Sequence, residues 1–206
     1  MKYIYFFGNK KADGSASDKN LLGGKGANLA EMTSLGFPVP PGFTISTDVC
    51  HYFMEKETFP NDLDSQVQNS LNQVENIMEQ VFGNAENPLL VSIRSGARQS
   101  MPGMMETILN VGLTSKTIPG LIEKYSDEHF VFDAYRRLIS MYADVVMEKA
   151  AGIVPNEGDG IREKLDKTME LMKNRHNVKA NGHLPINNLI DLCDIYKSTI
   201  KETLKS

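Results

Sequence analysis

The chain has 206 residues, with 22 Lys and Arg against 26 Asp and Glu and a net charge of −4 at neutral pH. That balance lacks the basic excess of a nucleic-acid binder, so any phosphate site must be local. The length admits one domain or two unequal lobes around a real core. Two distant cysteines, Cys50 and Cys193, exclude a disulfide framework or a zinc ligand set and suit reduced thiols in a cytoplasmic protein. The short aromatic start, ended by Gly8 and Asn9, lacks the apolar core and cleavage site of a secretory signal. No run approaches the roughly 20 apolar residues of a membrane span.

Tyr3 to Phe7, aromatic and branched, predicts a strand, and Asn9 to Lys19 a flexible polar loop. Leu21-Leu22-Gly23-Gly24-Lys25-Gly26-Ala27-Asn28-Leu29-Ala30-Glu31-Met32 follows. Glycines turn tightly and let a backbone approach a ligand. Ala27 to Ser34 predicts a helix, so leading amides, the positive helix end and the Lys25 ammonium would converge on an anion such as phosphate. The spacing is not that of a P-loop. On these residues alone a plainer reading stands beside it: a glycine turn that carries a surface lysine.

Phe37-Pro38-Val39-Pro40-Pro41-Gly42 prohibits further helix, Phe43 to Ser46 predicts a strand, and Thr47 or Asp48 can cap a helix to about Glu55. Val67, Leu71, Val74, Met78 and Val81 fall at helical spacing within 62–82, and that stripe is packing surface. Leu89 to Ile93 predicts a buried strand that opens into Arg94-Ser95-Gly96, and beyond the Pro102-Gly103 turn signal Glu106 to Leu113 predicts a second strand pairing with it. Arg94 at a strand mouth offers a planar fork of donors suited to phosphate, or equally an ordinary surface ion pair. Beyond Gly120 the pattern is helical: Val131, Tyr135, Leu138, Tyr142 and Val145 form one stripe, Ile161 to Lys173 and Asn188 to Leu204 two further helices, with a polar, mobile stretch at 174–182. These elements predict an α+β chain, with an α/β lobe over 1–112 and a helical subdomain over 113–206.

Leu21 to Met32, Gly36 to Ser46, and Val91 to Leu113 with Ser100-Met101-Pro102-Gly103-Met104-Met105 together resemble the N-terminal nucleotide-binding domain of the pyruvate, phosphate dikinase family. Tyr135-Arg136-Arg137 and Met141 to Met147 look like that family's helical insert. The resemblance implies an ATP-grasp-type N-terminal lobe, a small mixed sheet with helices, followed by a helical subdomain. It implies an enzyme that interconverts ATP, pyruvate and phosphate with AMP, phosphoenolpyruvate and pyrophosphate, using magnesium, as a cytoplasmic homodimer. Carried over residue by residue, Lys25 matches the phosphate-binding lysine among Gly23, Gly24 and Gly26, Arg94 the phosphate-binding arginine after the strand, and Arg137 a further arginine of the site.

The second ATP-grasp lobe, the phosphohistidine domain and the pyruvate barrel have no counterpart in these residues. None of His51, His129, His176 and His183 sits in the family's Thr-Ser-His wording, so each reads as a surface or packing histidine. No catalytic residue set is therefore complete and no metal ligand is assigned, the magnesium ligands being expected in the other lobe. The expected partners are ATP and phosphate, with pyruvate in the parent enzyme only and no nucleic acid or membrane. The chain by itself is expected to lack turnover. The alternative is a stand-alone, non-catalytic module that binds a phosphate-bearing ligand or a partner protein.

Overall fold

The computed structural model describes residues 1–96, 107–148, 150–156 and 158–205. They divide into two compact units, one of residues 1–80 with 94–96 and one of 81–93 with residues from 107 onward.

The first unit is built on strand β1 (Ile4–Gly8), flanked by antiparallel β2 (Lys11–Ala12) and β3 (Gly42–Ile45). Strand β2 lies within the stretch expected to be a flexible loop. Asn9 and Lys10 both adopt left-handed backbone, φ 49° and 61°. Two such residues form the mirror-image turn that suits the twist of a tight hairpin. The rest of that loop is also tied down: the Asp18 carboxylate accepts from the Ser15 amide at 2.8 Å and its hydroxyl at 3.0 Å.

Helix α1 (Lys19–Ser34) follows, then α2 (Thr47–Lys56) and α3 (Leu63–Met78). Ser46, not Thr47 or Asp48, is the N-cap of α2, and its buried hydroxyl has no hydrogen-bond partner among the described residues. Helix α3 ends before the predicted stripe does, so Met78 and Val81 are exposed while Leu63 and Val74 are buried. Tyr3, Ile4, Val49 and Leu63 form one small core; Leu22, Ala27 and Ala30 form another beneath α1. Gln66 of α3 holds the start of the central strand, its side-chain carbonyl accepting from the amides of Tyr3 at 2.8 Å and Ile4 at 3.3 Å.

In the second unit the predicted strand over 89–93 is two strands, β5 (Pro88–Leu89), paired in parallel with β4 (Val81–Phe82), and β6 (Val91–Arg94), whose last residue is counted with the first unit and which pairs with β7 (Thr107–Val111). Helices α4 (Ile118–Tyr125) and α5 (Glu128–Tyr142) come next; α5 runs into a π-helical segment, Ala143–Glu148. Then come α6 (Ile161–His176), a 3-10 turn (Asn181–His183) and α7 (Ile186–Thr203), so helix and turn extend into the polar stretch 174–182 from both ends. Asn177 supplies the left-handed residue that ends α6. The Glu148 carboxylate, itself buried, accepts from the Ile161 amide at 2.8 Å and thereby caps α6 from a distance.

Two cores hold this unit. Ile161, Leu165, Met169, Leu192, Tyr196 and Ile200 join α6 to α7, and Ile108, Leu121, Val131, Ala134 and Leu138 join α4 and α5 to β7. Burial pushes the Cys193 thiol up to about 11, against the opposing pull of Lys197 and Arg136, so it stays protonated at neutral pH. No helix among the described residues is long and apolar enough to cross a membrane.

Candidate phosphate site

The glycine-lysine cluster does not sit in a loop before a helix but inside α1. Gly23 breaks the helix with φ 68° and ψ 169°, and the helix restarts beyond it. Only glycine takes that backbone without steric cost, so its placement here is dictated by the kink. The restart puts the amides of Gly24 and Lys25 in the first turn of a new helical segment, where leading N–H groups lack a carbonyl one turn back. The kink thus lies within the glycine-lysine cluster, and the helix restarts two to three residues earlier than the predicted start at Ala27.

Gly23 is buried and Lys25 half-buried, and among the described residues the Lys25 ammonium has no hydrogen-bond or ion-pair partner. Gly26 has a different task. A Cβ there would lie 2.7 Å from Thr44 Cγ2 and 2.8 Å from Thr44 Oγ1 on β3. Its lack of a side chain lets α1 lie against the sheet, so its role is packing. Gly26→Ala is expected to destabilise the protein by about 1–3 kcal/mol through overpacking. Adding Thr44→Ala should restore most of the loss in urea unfolding. An unrescued loss would show that the backbone, not Thr44, sets the approach.

Arg94 is exposed at the end of β6, and no described residue pairs with its guanidinium. The neighbouring motif over 97–106, including Ser100 to Met105, lies outside the described residues. Arg137 is on α5, in the other unit from Lys25. Its Nε lies 3.1 Å from Asp133 Oδ2. Its neighbour Arg136, absent from the expected site, is the buried member of the pair and donates from Nε and Nη2 to Asp133 Oδ1 at 3.1 and 2.8 Å. An Asp three and four residues before paired arginines is the helical spacing that signals this arrangement. The Tyr196 hydroxyl lies beside Arg136; burial pushes that phenol up to about 12, and the guanidinium partly counters the rise.

The structure thus places Gly24, Lys25 and Gly26 directly after the kink at Gly23 in α1 and leaves Arg94 and Arg137 on separate elements. A cavity of about 470 Å³ in the second unit, walled by Val111, Leu113, Leu138, Ile139, Met147 and Ile200 among others, is mostly apolar; its one cationic wall residue, Lys197, is paired with Asp194 at 2.7 Å. Among the described residues no three His, Cys, Asp or Glu side chains form a metal-holding group. His129, expected to be a surface or packing residue, joins its Nε2 to the Leu184 carbonyl at 2.8 Å.

Comparison with known proteins adds two findings. The family described as pyruvate phosphate dikinase, AMP/ATP-binding domain matches residues 19–81, a stretch that opens at the first residue of α1 and holds the glycine-lysine turn. The chain is 52% identical over 147 residues to the pyruvate, phosphate dikinase of Rhizobium meliloti, covering 71% of this chain and 16% of that protein. It is 41% identical over 204 residues to that of Clostridium symbiosum, covering 98% of this chain and 22% of that protein. For the Entamoeba histolytica enzyme the identity is 40% over 206 residues, covering all of this chain and 22% of that protein. The chain therefore spans about a fifth of the length of these relatives.

Proposed function

We propose, from the premise that this chain belongs to the pyruvate, phosphate dikinase family, that it provides the first half of an ATP clamp. The reaction served is the interconversion of ATP, pyruvate and phosphate with AMP, phosphoenolpyruvate and pyrophosphate, in a cytoplasmic, homodimeric enzyme that uses magnesium. The observation that carries this reading is the kink at Gly23 beside a Lys25 side chain without a partner among the described residues, within the segment matched by the AMP/ATP-binding domain family.

Phosphoryl transfer depends on positioning and charge neutralisation, not on covalent help from the protein. In this reading the amides of Gly24 and Lys25 and the Lys25 ammonium receive phosphate oxygens. Arg94 and Arg137 supply further charge and Gly26 keeps the turn seated. Each charge-assisted contact is worth about 1.5–3 kcal/mol. With only one face of the clamp, affinity for nucleotide should lie near the millimolar range, roughly −4 kcal/mol. No turnover is expected from these residues alone.

Calorimetric titration with MgATP tests this. Lys25→Ala and Arg94→Ala should each weaken binding by about tenfold to a hundredfold, at roughly 1.4 kcal/mol per decade, with unchanged melting temperatures. Unaltered affinity in both would remove the phosphate site from this part of the chain. AMP formation by the purified chain, lost in Lys25→Ala, would overturn the expectation of inactivity.

A further inference from the structure

We propose that Asp133 is a positioning residue that holds Arg137 ready for phosphate. The proposal rests on the reading above that Arg137 contacts the nucleotide's phosphate chain, and it deepens that reading. Asp133 uses both carboxylate oxygens. Oδ1 is taken by the Nε and Nη2 of Arg136; Oδ2 forms an ion pair with the Nε of Arg137 at 3.1 Å, and that Nε also donates to the Asp133 backbone carbonyl at 3.4 Å. The Arg136 side chain is 10% exposed and that of Arg137 48% exposed, so one arginine anchors the carboxylate in the unit and the other is offered to solvent.

A guanidinium fixed through its Nε keeps its two terminal nitrogens in one plane, directed away from the tether. Among the described residues those two nitrogens of Arg137 have no partner. A forked pair of donors is what bidentate recognition of a phosphate needs. Two guanidiniums and one carboxylate leave a charge of about +1 on the group at neutral pH, arginine being always protonated, so the tether does not cancel the attraction for an anion. Holding a long side chain in its working rotamer before the ligand arrives removes part of the ordering cost of binding.

The sign of one substitution separates positioning from plain electrostatics. If Asp133 were only a nearby negative charge, Asp133→Asn would strengthen binding of a polyphosphate. As a positioning residue it should weaken binding when changed. The 206-residue chain is titrated with MgATP as the unaltered protein, Asp133→Asn, Arg137→Ala and the double variant, with melting temperatures recorded for each. Arg137→Ala should weaken binding about tenfold, and Asp133→Asn about threefold to tenfold. The double variant should match Arg137→Ala alone, because the carboxylate acts only through that arginine.

Unchanged or tighter binding by Asp133→Asn overturns the proposal, as does a loss that persists in the Arg137→Ala background. Arg137→Lys provides a test that leaves Asp133 in place. A lysine offers one nitrogen, which can serve the carboxylate or the phosphate but not both, so this variant should bind about as weakly as Arg137→Ala. Full affinity in Arg137→Lys would show that no tethered fork is needed. No binding by the unaltered chain, or normal binding by Arg137→Ala, would instead remove the nucleotide reading of Arg137 and the proposal with it.

Discussion

Replacing Gly120 by alanine is expected to lower the stability of this protein by about 3 kcal/mol, although alanine is the better helix former. Gly120 is the third residue of α4 and is buried. A Cβ on it would overlap the carbonyl oxygen of Ala85 and lie 2.5 Å from that of Glu86. Neither obstacle is a flexible side-chain tip. The Asn84 side chain accepts from the amides of Glu86 at 2.8 Å and Asn87 at 2.9 Å, and Lys124 of α4 donates to the Asn87 carboxamide at 3.1 Å. The loop carbonyls are therefore held against the helix from two sides. Helix propensity favours Ala over Gly by only about 0.8–1.0 kcal/mol, and relief of overpacking needs a shift of two peptide groups. The clash should win. Differential scanning calorimetry would check it: a lower melting temperature is expected, and an unchanged or higher one would mean that the loop yields at little cost.

That contact illustrates what was legible in the residues and what was not. The helical stripes were readable because apolar side chains at three- and four-residue spacing have one cheap solution. Val131 and Leu138 are buried on α5 as their spacing predicts, and α6 and α7 begin within about two residues of the expected positions. The α+β class followed from the same reasoning. Hairpin β1–β2 was not legible, because its turn places Lys10, a residue with no preference for left-handed backbone, at φ 61°. The break at Leu90 between β5 and β6 was hidden inside a continuous apolar run, which looks the same for one strand or two. At the candidate site, glycines beside a lysine were a clear sign of close backbone approach. Their division of labour was not, since a kink at Gly23 and packing against Thr44 by Gly26 depend on the neighbouring strand. Arg136 was overlooked for a related reason. Its burial is set by α7 packing on α5, and the local sequence shows only two adjacent arginines, of which the family's wording singled out the second.

Asp133→Ala, the other substitution with a large expected effect, turns on that buried arginine. A surface ion pair contributes about 0–1 kcal/mol, whereas removing one partner of a buried pair typically costs about 3–5 kcal/mol because an uncompensated charge remains. The Arg136 side chain is 10% exposed and that of Asp133 21% exposed, which puts the pair nearer the second case, with some relief from water at the carboxylate. The loss should be about 3 kcal/mol by urea unfolding. Arg136 has little else to turn to: Tyr196 beside it is a weak, uncharged acceptor whose hydroxyl is itself buried. If the cost arises from the stranded charge, removing the charge should cancel it. Arg136→Met combined with Asp133→Ala keeps an unbranched apolar side chain in the space and should return to within about 1 kcal/mol of the parent. A double variant as unstable as Asp133→Ala alone would instead place the loss in packing around residue 133. A single-variant loss below about 1 kcal/mol would mean that the Arg136 guanidinium reaches water and that the pair belongs to the surface class. Asp133→Asn, which keeps one acceptor for Arg136, should be the milder change, so its folded form remains available to report on Arg137.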